Sequence, residues 1–378
     1  MGRRLIFIDD KPGYGGVSTC LICLANELCK RGYEITLIAA KKNVYETRVD
    51  ALVQIEECDF TDEKAVERMI KSLNDRCAEI VNSHADSGIQ IRLLRQKNRT
   101  YQLYLTEHLA IFDDPEYIEP RKEYFSLANQ AEKVITVSLA GRRAFQAAGV
   151  EYQKLATVYN GVKAKPYRER TYEEIRLMYA GRLTETKGIF TLLKAMDLVR
   201  QQIPEAKVNI YGTGRQEQEV RDYIREHHLE EQCILKGFCD CMEKAYQEHE
   251  IVISPSRTES CSFTILEAMN ESCVVLASDV DGTRELVYDG VTGRLHPFGD
   301  AKTLAGQIIE LMKEPEKLRM LAQNGHYEVT PFLPAGGQRK KIYPMPDRIK
   351  KITDGIAKRE TQPYETGWPY GLDMKNGK

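Results

Sequence analysis

IVISPSRTESCSFTILEAMNESCVVLASDVDGTRELVYDGVTGRLH, residues 251–296, carries the plan of the chain in a single strand–helix–strand unit. Ile251–Ile253 is a short apolar run that empties into Ser254-Pro255-Ser256, the pattern of a buried strand and its exit loop. A polar loop, Arg257 to Ser262, carries Glu259. Phe263 to Met269 has helical spacing, with Glu267 read as lying in its first turn, and Val274–Ala277 is a second buried strand. Strand, helix, strand is the unit of a parallel sheet, whose ligands gather at the carboxyl ends of the strands. Glu259 and Glu267 are therefore both expected to face that crevice. The start of the helix, at Ser262, Phe263 and Thr264, offers N–H groups and a partial positive charge suited to a phosphate. A second reading of Glu267 stays open: Thr264-Ile265-Leu266-Glu267 also fits a capping box, in which the carboxylate serves only the helix.

Upstream, the same architecture is expected. Ile175–Tyr179 reads as a strand followed by Ala180-Gly181-Arg182-Leu183-Thr184-Glu185-Thr186-Lys187-Gly188 and a helix to about Gln201. Val208–Tyr211 runs into Gly212-Thr213-Gly214, and Ile234–Lys236 into Gly237-Phe238. The first half repeats the plan. Leu5–Ile8 is a strand ending in Lys11-Pro12-Gly13-Tyr14-Gly15-Gly16-Val17-Ser18. A helix follows, with Leu21, Leu24, Ala25 and Leu28 on one face; Gly32 stops it, and Glu34–Ala39 is the next strand. Glycines in such a turn let backbone approach a ligand closely, although a tight turn alone also asks for them. Further strands are expected at Glu79–Asn82, Tyr101–Thr106, Lys133–Val137 and Ala156–Tyr159, with His84 and His108 just after two of them. Each His has a structural reading and a ligand-binding one.

The chain has 378 residues, comfortable for two domains; 42% are hydrophobic and 29% charged, with a net charge of −2, which gives no bias towards nucleic acid. Ten cysteines include Cys20-x-x-Cys23, but that pair sits in an apolar helical run and reads as buried thiols. Free cysteines in a large α/β protein fit a reducing compartment, and no signal peptide or membrane span is expected. Arg92, Arg95, Lys97 and Arg99 are either a solvated face or a patch for anionic lipid or an anionic acceptor.

Glu259, seven residues, Glu267, then Ala268-Met269, Asp279-Val280-Asp281-Gly282-Thr283-Arg284-Glu285-Leu286-Val287 and Gly290-Val291-Thr292-Gly293: this pattern resembles the retaining glycosyltransferases of the GT-B fold, family 4, group 1. The resemblance covers about residues 1–325. It implies two Rossmann-like doubly wound α/β domains facing each other across a cleft, with boundaries read as 1–162 for the acceptor domain and 163–328 for the nucleotide-sugar domain. Tyr159-Asn160-Gly161-Val162 resembles the hinge, and Lys163 to Glu174 reads as a linker. By the family pattern Arg182 and Lys187 grip the donor pyrophosphate, Glu267 holds the ribose and Glu259 the sugar hydroxyls. Gly15 and Gly16 lie over the donor phosphates, His108 touches the donor sugar, and Gly212, Phe238 and the Ser262–Thr264 segment complete the donor site. His84 is placed nearer the acceptor.

The implied activity is transfer of a sugar from a nucleotide-sugar, itself the co-substrate, to a glycan or lipid-linked acceptor, with no other cofactor and no metal. Asp279 and Asp281 are expected to point away from the site, capping the next helix or meeting Arg284. The implied location is cytoplasmic, with a peripheral contact at the inner face of the membrane. Two departures stand out. Ser272 and Val274 occupy positions where the family usually has Gly and Pro, and Ser260-Cys261-Ser262 replaces a commoner Gly-Phe-Gly. The stretch from about 329 to 378, basic and then polar, is read as an atypical tail, disordered or membrane-seeking. An inactive nucleotide-sugar-binding partner subunit, or a phosphorylase or epimerase on the same fold, are the other readings.

Overall fold

Leu5, Ile6, Phe7 and Ile8 are at most 2% exposed, so the first apolar run becomes the middle of a sheet rather than its edge. A computed structural model describes residues 3–13, 15–108 and 119–330 of the chain; the expected tail lies outside the described residues. Strand β1 (Arg4–Asp9) leads through the glycine turn into α1 (Gly16–Lys30) and β2 (Glu34–Ala39). β3 (Gln54–Glu57), α2 (Glu63–Ser72), β4 (Ile80–Ser83), α3 (Ser87–Leu94), β5 (Gln102–Glu107), α4 (Lys122–Ala128), β6 (Lys133–Thr136), α5 (Leu139–Ala147) and β7 (Leu155–Thr157) complete the first domain. The sheet order is β3-β2-β1-β4-β5-β6-β7 and every pairing is parallel. β3 was not expected. It is an edge strand with one apolar residue in Gln54-Ile55-Glu56-Glu57, too little pattern to announce it.

The second domain holds β8 (Leu177–Ala180), α6 (Ile189–Val199), β9 (Val208–Tyr211), α7 (Glu217–Glu226), β10 (Cys233–Gly237) and α8 (Met242–Gln247). β11 (Ile251–Ser254), α9 (Phe263–Asn270), β12 (Val274–Ser278), α10 (Asp281–Arg284), β13 (Arg294–His296), α11 (Ala301–Lys313) and α12 (Pro315–Val329) follow. Its order is β10-β9-β8-β11-β12-β13, again all parallel. The fold is therefore the expected pair of parallel-sheet α/β domains. β13 also escaped the sequence reading, being three residues long at an edge. Each sheet reverses its strand order once, at β1/β4 and at β8/β11, and such switch points open a crevice for ligands. No described helix is long and apolar enough to cross a membrane.

The expected linker is strapped to the second domain. Asn270 accepts the Lys165 N–H (3.2 Å) and donates to the Lys163 carbonyl (3.0 Å). The Arg168 N–H donates to the Ser272 hydroxyl at 2.9 Å. Ser272 itself stands at φ 62°, the left-handed conformation that explains why a glycine would be the commoner residue there. Arg170 is buried and donates to the carbonyls of Tyr246, Gln247, Glu271 and Ser272. It also pairs with buried Glu250 at 3.3 Å.

The domains also meet directly. Phe263, the first residue of α9, packs in the apolar cluster of β1, β2 and α1, while Val137 of the first domain joins the cluster around β11, β12 and α9. The Ser138 and Ser260 hydroxyls lie 2.8 Å apart, and the Asn160 amide donates to the Cys261 carbonyl at 2.8 Å. Glu285 of the second domain accepts the N–H groups of Leu139 (2.8 Å) and Ala140 (2.7 Å) at the start of α5, and the Tyr159 hydroxyl (2.6 Å). Because Arg170 satisfies a buried carboxylate and four carbonyls, Arg170→Ala should cost about 3–5 kcal/mol in denaturant unfolding, the range for breaking a buried pair from one side.

Candidate active site

The exit loops of β8 and β11 stand side by side at the second switch point. Gly188 has φ 69°, and a Cβ there would lie 1.8 Å from the Pro255 carbonyl oxygen, so only glycine lets the two loops touch. The Arg257 N–H donates to the Thr186 carbonyl at 2.8 Å. This contact delivers Lys187 to Glu259, with Nζ 2.6 Å from Oε1. Their side chains are 26% and 11% exposed, so the pair is largely shielded from water. Gly282 backs the pair from below: a Cβ on it would stand 2.1 Å from the Glu259 carbonyl oxygen. Arg182, on the same loop as Lys187, is exposed and makes no ion pair or side-chain hydrogen bond among the described residues.

Glu267 is the fifth residue of α9, one turn further in than its expected place, and it does not cap the helix. The N-cap is Ser262, whose side chain makes no capping bond, and the Thr264 hydroxyl donates instead to the Ala180 carbonyl at 3.4 Å. The capping-box reading is therefore excluded. The Glu267 carboxylate accepts the hydroxyl of Tyr246 at 3.2 Å. Burial pushes its pKa up to about 7; the Tyr246 hydroxyl and the charge of Arg48 pull the other way. Neither Tyr246 nor Arg48 was read as a site residue. The first intrahelical bond ends at Leu266, so the N–H groups of Phe263, Thr264 and Ile265 have no acceptor within the helix. Phe263 contributes only its backbone here, since its ring lies in the first domain's core.

The first domain supplies the facing wall. Gly15 is the N-cap of α1 and Gly16 its first residue, and a Cβ on Gly16 would touch the Phe263 ring at 3.4 Å. The glycine turn thus reaches the start of α9; Tyr14 lies outside the described residues. Below it, buried Asp9 accepts from the Ser18 hydroxyl (3.2 Å) and from Tyr45, and Ser18 accepts the Gly13 N–H at 3.1 Å. Burial raises the Asp9 carboxyl above its ordinary value. His84 Nδ1 lies 2.8 Å from His108 Nε2, so the two histidines, read as belonging to separate acceptor and donor sides, share one place.

The remaining expectations divide. Gly212 lies against Gly181, and its N–H is bonded to the Gly237 carbonyl at 2.7 Å. Phe238 is 51% exposed just past the end of β10. Asp279 and Asp281 both pair with Arg284, as expected. The basic cluster is largely spoken for: Arg92 pairs with Glu63, Arg95 with Glu123, and Arg99 donates to three carbonyls.

Residues 14–165 match the family described as Glycosyltransferase Family 4, and residues 165–327 that described as Glycosyl transferases group 1. The chain belongs to this group of GT-B glycosyltransferases. It is 32% identical over 143 residues to the poly(glycerol-phosphate) alpha-glucosyltransferase of Bacillus subtilis, a match covering 38% of this chain and 21% of that protein. It is 29% identical to the amylovoran biosynthesis glycosyltransferase AmsK of Erwinia amylovora, covering 51% of this chain and 50% of that one. The chain thus spans half or less of the length of these two curated relatives. Among solved structures, HepE of Anabaena in complex with UDP-glucose superposes with a TM-score of 0.78 at 19% identity, covering 94% of this chain and 99% of that one. TarM gives 0.79 at 13% identity, covering 95% and 99%. At these identities the likeness is one of fold.

A buried carboxyl with a raised pKa loses folded-state stability as it is forced to ionise. The contribution of Glu267 is complete below its unfolded value near 4.5 and is lost as pH rises through about 7. Glu267→Gln should therefore gain in melting temperature relative to the parent across that window, with the two converging at lower pH. Parallel melts from pH 4 to about 8 check this.

Proposed function

We propose that the chain is a retaining glycosyltransferase that moves a sugar from a nucleotide-sugar to a glycan or lipid-linked acceptor. One observation carries the reading: Lys187 and Glu259 held together at the switch point, beside free Arg182 and the open N–H groups of α9. Transfer leaves a nucleoside diphosphate, and its growing negative charge needs preorganised cations and N–H donors. Lys187 and Arg182 would take that charge. Lys187 and Glu259 satisfy each other in the structure. A donor exchanges both partners, its pyrophosphate replacing the carboxylate on Lys187 and its sugar hydroxyls replacing the ammonium on Glu259. Glu267 would accept the ribose hydroxyls, with Tyr246 fixing its orientation. The Gly237-Phe238 turn would meet the base.

The acceptor would meet the first domain. A hollow of about 440 Å³ at the carboxyl ends of β1, β2 and β3 is lined by Asp10, Lys41, Glu57, Asp59 and Phe60. Carboxylates there accept from sugar hydroxyls, which suits a neutral glycan segment. Attack on the same face as the departing diphosphate, within an ion pair, would retain configuration and needs no protein nucleophile, unlike the paired carboxylates of retaining glycosidases. A uridine diphosphate sugar is the first donor class to try, since the solved structures of like fold include complexes with UDP-glucose and with UDP and GlcNAc. The diphosphate charge has protein partners, and Asp279 and Asp281 are engaged with Arg284, so a divalent metal would be redundant. A peripheral membrane contact belongs to the same proposal, for a lipid-linked acceptor. The intact cation and carboxylate set favours an active enzyme over an inactive partner subunit.

A panel of nucleotide-sugars, scored for transfer and for slow donor hydrolysis, with the anomeric configuration of the product read by NMR, tests the activity; an inverted product would overturn the retaining assignment. Lys187→Ala should lower turnover by at least about 100-fold, the loss expected for one preorganised charge at a developing anion. It should also destabilise the fold by about 1–2 kcal/mol, between the values for exposed and buried pairs, because Glu259 is left without its cation. Lys187→Ala with Glu259→Gln should recover stability and not activity. Transfer should persist in excess chelator; loss with chelator and rescue by magnesium or manganese would place a metal in the reaction.

Donor binding gives Glu267 hydroxyl donors and so favours its charged form. Affinity for the free nucleotide should tighten as pH rises through about 7, with proton release detectable by calorimetry in buffers of different ionisation enthalpy. Glu267→Gln should abolish that pH dependence.

A further inference from the structure

We propose that Cys20, His84 and His108 form a binding site for a thiophilic divalent cation, Zn²⁺ being the one that fits, on the first domain's wall of the cleft. Cys20 lies in the second turn of α1, just after the glycine turn; His84 follows β4 and His108 follows β5. Three elements adjacent at the β1/β4 switch point thus aim one sulfur and two nitrogens at a common point. One ligand atom from each side chain lies within 4.8 Å of the other two. Cys20 is fully buried, His84 is 6% exposed, and His108 is half-buried.

The donor set selects the ion. Two imidazoles and a thiol, with no carboxylate among them, suit zinc and not the oxygen-seeking calcium or magnesium. Bonds of about 2.0–2.3 Å arranged tetrahedrally hold ligand atoms roughly 3.3–3.8 Å apart. The two ring nitrogens are closer than that, at 2.8 Å, and the widest separation in the trio is at most 4.8 Å. Rotamer shifts of about an ångström bring all three to bonding distance of one centre, and three protein ligands leave a fourth position for water.

In the resting pair a ring nitrogen of one histidine donates to a ring nitrogen of the other across the short contact. A cation between them takes both lone pairs, so the shared proton moves to the other nitrogen of its own ring. The Cys20 thiol releases its proton to solvent and binds as thiolate. One proton leaves per ion bound, and the two imidazoles remain neutral. On the reading that His108 faces the donor sugar, an ion held here obstructs the donor, so zinc would inhibit transfer rather than support it.

The test needs no sugar, so it stands or falls separately from the transferase reading. Metal-stripped, reduced full-length protein is titrated with Zn²⁺ against a chromogenic chelator, and with Co²⁺ to look for a thiolate-to-cobalt charge-transfer band. The expected result is one ion per chain, with binding and band both lost in Cys20→Ala and binding lost in His108→Asn, each variant keeping the parent's circular dichroism. Absence of stoichiometric binding by the parent overturns the proposal. So does binding that survives both substitutions, or that disappears instead in Cys239→Ser with Cys241→Ser, which would put the ion on the accessible thiols after β10. If Cys20→Ala fails to fold, His108→Asn alone decides, because that side chain is half-buried and belongs to none of the apolar core clusters.

Discussion

Two loops from different strands cannot be brought into van der Waals contact unless one of them gives up its side chain, and here Gly188 does so against the Pro255 carbonyl. The closeness, 1.8 Å to where any Cβ would stand, makes the separation of the β8 and β11 exit loops a fixed quantity. Lys187 precedes that glycine and Glu259 comes four residues after that proline, so their meeting follows from a backbone constraint rather than from two flexible side chains finding each other. Gly282 repeats the device on the other side, where the start of α10 is pressed against the Glu259 backbone. What the contacts fix is the position of the two main chains, not which partner each side chain keeps.

The sequence showed the repeating strand–helix units because their strands are buried on both faces and read as unbroken apolar runs, such as Ile251–Ile253 and Leu5–Ile8. It failed at β3 and β13, which lie at sheet edges, are short, and carry polar residues where pairing on one side suffices. Lys163 to Glu174 looked like a free linker because its composition is polar. Polar composition does not distinguish a solvated chain from one whose groups are all bonded to a neighbouring surface, and Arg170 is the second kind.

The site was legible where it depends on local order and illegible where it depends on packing. Glu259, Glu267, Arg182 and Lys187 all stand on or beside the exit loops that the strand pattern located. The environment of Glu267 did not follow from its neighbours in sequence: Tyr246 comes from another helix, and Arg48 from the other domain. The capping-box pattern at Thr264–Glu267 is a case where a local rule lost to a tertiary contact, because the Thr264 hydroxyl is turned to the Ala180 carbonyl. The two histidines were separated by expectation and joined by the sheet, since β4 and β5 are neighbours and deliver their next residues to the same edge.

The Glu285 carboxylate joins the domains through groups that water could equally well serve. It takes two backbone N–H groups at the start of α5 and the hydroxyl of Tyr159, and the first of these contacts lies at the surface. Three bonds to a charged acceptor, at about 1.5–3 kcal/mol each, come to roughly 5–9 kcal/mol, and the packing of Phe263 and Val137 across the domains adds to them. The clasp is thus one of several contacts that hold the two domains together, and the one that depends most on charge. It acts between a carboxylate and the positive end of a helix, so ionic strength becomes a control on domain opening: salt screens the attraction and shifts the balance towards the open form without any change in the chain.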